Sequence, residues 1–209
     1  MTNYFTPAGY GEAEHIEKKS RFIARIWPVK GEDEALDKIR QMREKHWDAS
    51  HNVYAYILRE NSIMRYSDDG EPQGTSGLPV LNVFKSAGVY DACCVVTRYF
   101  GGILLGTGGL ARAYSKSASL ALDAAGIGTV RKWLKIEIEC AYHLYERIRN
   151  ELSLKGAAVS DTQFGAQVVI KALLPEDGSD GIEARLQELS SGTVSINILG
   201  EDFLFLNPD

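Results

Sequence analysis

No run of roughly 18 consecutive apolar residues occurs in the chain, which leaves no candidate membrane-spanning helix. The opening stretch, MTNYFTPAGYGEAEH, has neither a basic segment nor an apolar core, so no secretory leader is expected there. Cysteine is scarce, with only Cys93, Cys94 and Cys140 among 209 residues. Adjacent strand cysteines cannot comfortably pair with each other, and no CxxC or Cys/His ligand spacing occurs. The expectation is buried, reduced thiols in a cytoplasmic protein. Also missing are a GxSxG elbow, an HExxH pair and a GxxxxGK[ST] phosphate loop, so no catalytic set announces itself. Positive charge is not in excess either: 23 Lys and Arg face 28 Asp and Glu, a formal net of −5. Residues 1–129 carry 15 of each sign, whereas 130–209 carry 8 basic and 13 acidic residues. That asymmetry points to two domains, 1–129 and 130–209, and argues against the second as an electrostatic nucleic-acid binder.

The chain does have one concentrated feature, residues 91–126, DACCVVTRYFGGILLGTGGLARAYSKSASLALDAAG. Residues 92–100 form a short apolar, β-branched and aromatic run, the pattern of a buried strand. Leu110, Ala113, Tyr114, Ser117, Ala121 and Ala124 recur at helical spacing, with Gly126 placed to close the helix. Between them lies GGILLGTGG, five glycines in nine residues. Glycine is costly in ordered chain unless the backbone needs positive φ or close approach. A glycine loop entering a helix directs unpaired N–H groups outward, where they can hold an anion.

Elsewhere the periodicity predicts a strand within 14–29, bulged at KKSR, then a helix opening at Gly31 with Leu36, Ile39 and Met42 as its buried stripe. Strands follow at 53–58 and 64–67. The polar, glycine-rich 67–77 is a loop, and a helix runs from Leu78-Pro79 to Ala87. Residues 126–132 are the expected domain boundary. Beyond it the apolar pattern reads βαββαβ, two βαβ halves in about 75 residues, matching a ferredoxin-like sandwich. The fold class is therefore α+β in two domains.

The candidate site is an anion or RNA-phosphate cleft made of Arg98, Gly101, Gly102, Gly106, Gly108, Gly109, Arg112 and Tyr114. Gly74, Thr75 and Gly77, ahead of the second helix, would supply a second helix N-terminus if the two loops fold side by side. Arg98, at a strand terminus, would be exposed and free to pair with phosphate; an ion pair with the Asp68/Asp69 loop is the alternative. Tyr99, Phe100 and Tyr114 could stack on bases or belong to the core. Asp68, Asp69 and Glu71 could hold Mg²⁺, the one cofactor suggested, though they lack EF-hand spacing and could equally accept N–H bonds within a turn. His51 reads as a hydrogen-bonded structural residue, or a weak general base.

SDDGEPQGTSGLPVL (67–81) and VVTRYFGGILLGTGGLARAY (95–114) resemble the two motifs of the YigZ/IMPACT family, and KKSRFIA (18–24) and His51-Asn52 fit the same pattern. The resemblance covers nearly the whole chain and matches the bacterial two-domain form. It implies an N-terminal domain like domain two of a ribosomal small-subunit protein, an α/β sandwich, and a C-terminal domain like the ferredoxin-like one of elongation factor G. It implies partners in the translation apparatus, RNA or a ribosome-associated protein; the lack of a long apolar run leaves no membrane partner expected. Eukaryotic members restrain a starvation-activated kinase through its activator protein; that role is not carried over to this shorter form. Three functions therefore compete: a translation-associated binding protein, an enzyme on a phosphorylated small molecule or nucleotide with Mg²⁺, and a protein–protein adaptor whose glycines serve only packing.

Overall fold

The structure, a computed structural model, describes residues 3–206. Met1, Thr2 and residues 207–209, the outer ends of the two expected domains, lie outside the described residues. The chain divides into two compact units, Tyr4–Thr129 and Val130–Leu206. Among the described residues, no helix is long and apolar enough to cross a membrane.

The first unit is built from β1 (Asn3–Pro7), β2 (Gly11–Glu17), β3 (Ser20–Pro28), α1 (Glu32–Lys45), β4 (His51–Ile57), β5 (Met64–Ser67), α2 (Gly77–Ala87), β6 (Ala92–Tyr99) and α3 (Thr107–Ala125). Five strands form an antiparallel sheet in the order β2-β3-β6-β4-β5. β6 is central and covered on both faces. Cys94 and Val96 join the core shared with α2 and α3, while Cys93 and Val95 join the core under α1. Double coverage is why this strand reads as a continuous apolar run rather than an alternation. All three cysteines are unpaired and buried, and burial pushes the Cys93 thiol up to about 12.

Several expectations need correction. The single strand across 14–29 is a hairpin, β2 and β3, turned at Lys18 and Lys19 with φ of 45° and 66°. With both central residues at positive φ the turn is of the type I′ kind, a geometry that Asn-Gly signals and Lys-Lys does not. On α1 the buried residues are Ala35, Ile39 and Met42; Leu36 is exposed. β1 had no counterpart in the sequence pattern. α3 begins at Thr107, so Gly108 and Gly109 are helical rather than part of the loop.

The second unit comprises most of β7 (Ile127–Cys140), then α4 (Tyr145–Leu154), β8 (Ala158–Phe164), β9 (Val168–Pro175), α5 (Ile182–Ser190) and β10 (Ile196–Leu206). The stretch 126–132, read as a boundary, is therefore mostly strand. β9 lies between β7 and β8, and β10 pairs with β7 on its other side. The order β10-β7-β9-β8 with two helices is the ferredoxin-like arrangement. Ile136, Ile138, Ile148, Leu152, Ile170, Leu174 and Leu186 fill its core.

Packing of β2 against α3 depends on one glycine. A Cβ on Gly11 would stand 2.2 Å from the Ala121 carbonyl oxygen and 2.7 Å from the Ala125 Cβ, whereas one on Gly9 meets nothing within 4 Å. Gly11→Ala should lower unfolding free energy by about 1–3 kcal/mol, as overpacking does. Gly9→Ala should stay within about 0.5 kcal/mol. Urea denaturation of the two variants measures the difference.

Candidate functional site

Antiparallel register sets three side chains in a row at one end of the sheet: Phe22 of β3 lies opposite Arg98 of β6, and Arg98 opposite His51 of β4. All three lie on the face that packs against α2 and α3, because they continue the period-two series of Ala24, Val96 and Val53. Tyr114 reaches this row from α3, its ring edge-on to Phe22 at 5.1 Å between centroids. The acidic loop brings Glu71.

These residues form a buried network. Arg98 is not an exposed strand-end cation, as expected, but 5% accessible. Its Nη1 donates to Glu71 Oε1 at 2.5 Å and its Nη2 to Ser20 Oγ at 3.3 Å. The guanidinium carbon sits 5.4 Å from the centroid of Phe22 and 5.4 Å from that of Phe100. The Tyr114 hydroxyl donates to the same Glu71 oxygen at 2.8 Å. Burial, reinforced by the Glu71 carboxylate, holds that hydroxyl far above the ordinary tyrosine range, so it remains a donor. His51 Nδ1 lies 2.8 Å from the Asp69 carbonyl oxygen, which makes Nδ1 the protonated nitrogen; Nε2 then faces Glu71 Oε2 at 3.8 Å. Arg98 Nε–H is buried without an acceptor among the described residues.

The three loop carboxylates expected as Mg²⁺ ligands do not converge. Asp68 accepts N–H bonds from Gly74, Ser76 and Gly77 at 2.8, 3.0 and 2.8 Å. Asp69 pairs with Arg43 at 2.7 Å and accepts from Asn52 N at 2.7 Å. Glu71 turns inward to Arg98. Among the described residues, no group of three or more His, Cys, Asp or Glu could hold a metal ion, so the carboxylates present do not fit one. Asp68 also corrects the expectation for α2. Its carboxylate occupies the helix N-terminus that Gly74, Thr75 and Gly77 were expected to offer a ligand, and Thr75 N donates to Pro72 O.

The N-terminus of α3 is different. Gly106, at φ 73°, precedes the helix, and Leu110 N donates to Gly106 O. The backbone N–H groups of Thr107, Gly108 and Gly109 find no acceptor among the described residues. Gly101 allows a close crossing, since a Cβ there would lie 2.0 Å from the Lys19 carbonyl carbon; Gly102, at φ 81°, turns the loop away. The two loops do meet: Glu71 and Pro72 share a cavity of about 550 Å³ with Arg98, Phe100, Leu104 and Thr107. His51 and Gly106 also line it. Phe100 and Leu104 are exposed and give it an apolar wall. Arg112 is exposed on the first turns of α3, outside this cavity. The cavity can therefore seat an anion at the helix N-terminus and a flat or apolar group beside it.

Sequence reasoning found the two loops and Arg98, and it carried Glu71 only as a metal ligand. It missed Ser20, which is fully buried and also accepts from Gly101 N at 3.2 Å. The signal for Ser20 was its place beside the glycine crossing, visible only once the β2–β3 hairpin is known.

Fold and cavity together define a two-unit α+β protein with an open helix N-terminus set above a buried ion pair. Residues 18–122 match the Impact N-terminal domain, and residues 138–193 match a domain of unknown function, DUF1949. The chain is 39% identical to IMPACT family member YvyE of Bacillus subtilis over 94% of this chain and 91% of that one. It is 30% identical to IMPACT family member YigZ of Escherichia coli over 96% of this chain and 100% of the relative. A crystal structure of a hypothetical protein superposes with a TM-score of 0.63 at 30% identity, covering 96% of this chain and 98% of that one. The chain belongs to the IMPACT family.

Removing one member of the buried pair should be expensive. Glu71→Ala leaves the Arg98 guanidinium charged and buried, a loss of about 3–5 kcal/mol. The double variant Glu71→Ala/Arg98→Met should lose less than Glu71→Ala alone, and a chemical-denaturation cycle reads the difference.

Proposed function

We propose that this chain is a translation-associated binding protein whose N-terminal unit holds an RNA phosphate at the start of α3. The observation that carries the reading is the set of unaccepted N–H groups on Thr107, Gly108 and Gly109, at the end of a 19-residue helix that opens onto the cavity. Such a terminus attracts anions through its aligned peptide dipoles. Arg98 lines the same cavity, and its buried Nε–H has no acceptor among the described residues. Phe100 and Leu104 provide a surface on which a base can lie, and stacking of this kind tolerates any base. Glu71 already neutralises Arg98, so recognition relies on directed N–H groups more than on net charge. Family membership supports the placement in translation through the resemblance set out above.

The competing reading as a Mg²⁺-dependent enzyme loses support because Asp68, Asp69 and Glu71 each have separate protein partners. A metal-free proton transfer retains one observation, His51 Nε2 facing Glu71 across the cavity wall.

Thr107→Pro tests the proposal with little risk to the fold, because proline suits the first helical position and removes one N–H group. It should weaken binding of uridine monophosphate and of short RNA about tenfold, equivalent to about 1.4 kcal/mol. The melting temperature without ligand should hold. Isothermal titration calorimetry measures the first and scanning calorimetry the second; unchanged affinity in a folded variant would remove the helix terminus from the site.

A further inference from the structure

A second hollow, of about 300 Å³, adjoins the first. It is lined by Lys18, His15 and Glu17 of the β2–β3 hairpin and by Gly109, Arg112 and Lys116 along α3. Leu105 lines both hollows. Lys18, Arg112 and Lys116 are all exposed, and none makes an ion pair among the described residues. Glu17 is the single carboxylate in the lining, and it lies 4.0 Å from His15 Nε2. In a unit whose formal charges balance, three unpaired cations around one depression are a local excess, the kind of feature that concentrates anions. Arg112 also links this hollow to the helix start: its Nη1 lies 3.5 Å from where a Cβ on Gly108 would stand. The guanidinium therefore lies against the first turn of α3.

From Thr107 to Lys116 the helix advances roughly 13 Å, at about 1.5 Å per residue. One phosphate at the N-terminus cannot reach the far end of that track. We infer that the hollow is a second phosphate seat, so that the ligand is single-stranded RNA running past Leu105 rather than a mononucleotide. The inference rests on the phosphate reading of the first cavity. The backbone of the strand would place one phosphate on the Thr107–Gly109 N–H groups and a neighbouring one among Lys18, Arg112 and Lys116. The base between them would meet Phe100 or Leu104. Inorganic polyphosphate offers the same charges without bases, and the apolar wall favours RNA over it.

The experiment compares decauridylate, followed by fluorescence anisotropy of a labelled strand, with uridine monophosphate as competitor, in the full-length protein and its Lys18→Ala and Lys116→Ala variants. The expected result is that the wild type prefers the decamer and that each variant reduces the decamer-to-mononucleotide affinity ratio about fivefold to tenfold. The slope of log affinity against log salt should become shallower by about 0.7 for each phosphate that a variant no longer neutralises. A ratio and slope unchanged in both variants, with the protein folded, would overturn the second seat while leaving the first standing. Equal competition by polyphosphate of matched charge would overturn the assignment to RNA. A wild type that binds neither probe at low salt would sink both readings together.

Discussion

Glu71 and Arg98 form the contact on which the rest of the N-terminal unit's site depends. The pair joins the nine-residue polar loop between β5 and α2 to the central strand of the sheet. Around it gather Tyr114 from α3, Ser20 from β3 and Phe22 beneath, so one ion pair fixes the relation of loop, sheet and helix. Desolvating two charges is unfavourable unless the remaining donors and acceptors are satisfied. Here the hydroxyls of Tyr114 and Ser20 satisfy most of them. Arg98 Nε and the first-turn N–H groups of α3 are the donors here without an acceptor among the described residues.

Much of this was legible in the sequence, and for identifiable reasons. β6 was readable because burial on both faces leaves no polar positions, and α3 because small and apolar residues recur at helical spacing. The glycine loop stood out because so many glycines in a short span require a structural reason. The partner of Arg98 was not legible to the residue: any of three carboxylates in SDDGE could reach it, and the choice is made by the loop's own path. Asp68 turns back to the backbone N–H groups of Gly74, Ser76 and Gly77, and Asp69 turns to Arg43. That leaves Glu71 to face inward. The hairpin at Lys18-Lys19 was hidden because its turn uses residues that do not advertise positive φ.

Asp68 also explains why two superficially similar helix starts differ. Both α2 and α3 follow glycine-rich loops. At α2 the chain supplies its own carboxylate, which satisfies the N–H groups and holds the loop closed. At α3 the corresponding loop, ILLGTGG, contains no acidic residue to do so. The same local composition thus yields one terminus committed to structure and one left open.

The turn at Lys18-Lys19 has a further meaning when set beside Gly101. The glycine's backbone is pressed against the Lys19 carbonyl so closely that no side chain fits between them. The tip of the hairpin is thereby braced by the very loop that leads into α3. A lysine on an unsupported loop would have to be immobilised by whatever it meets, at a cost in freedom. Lys18 is presented on backbone that is already held, leaving only its own side chain to be ordered. A surface charge that would otherwise roam is mounted on a fixed arm.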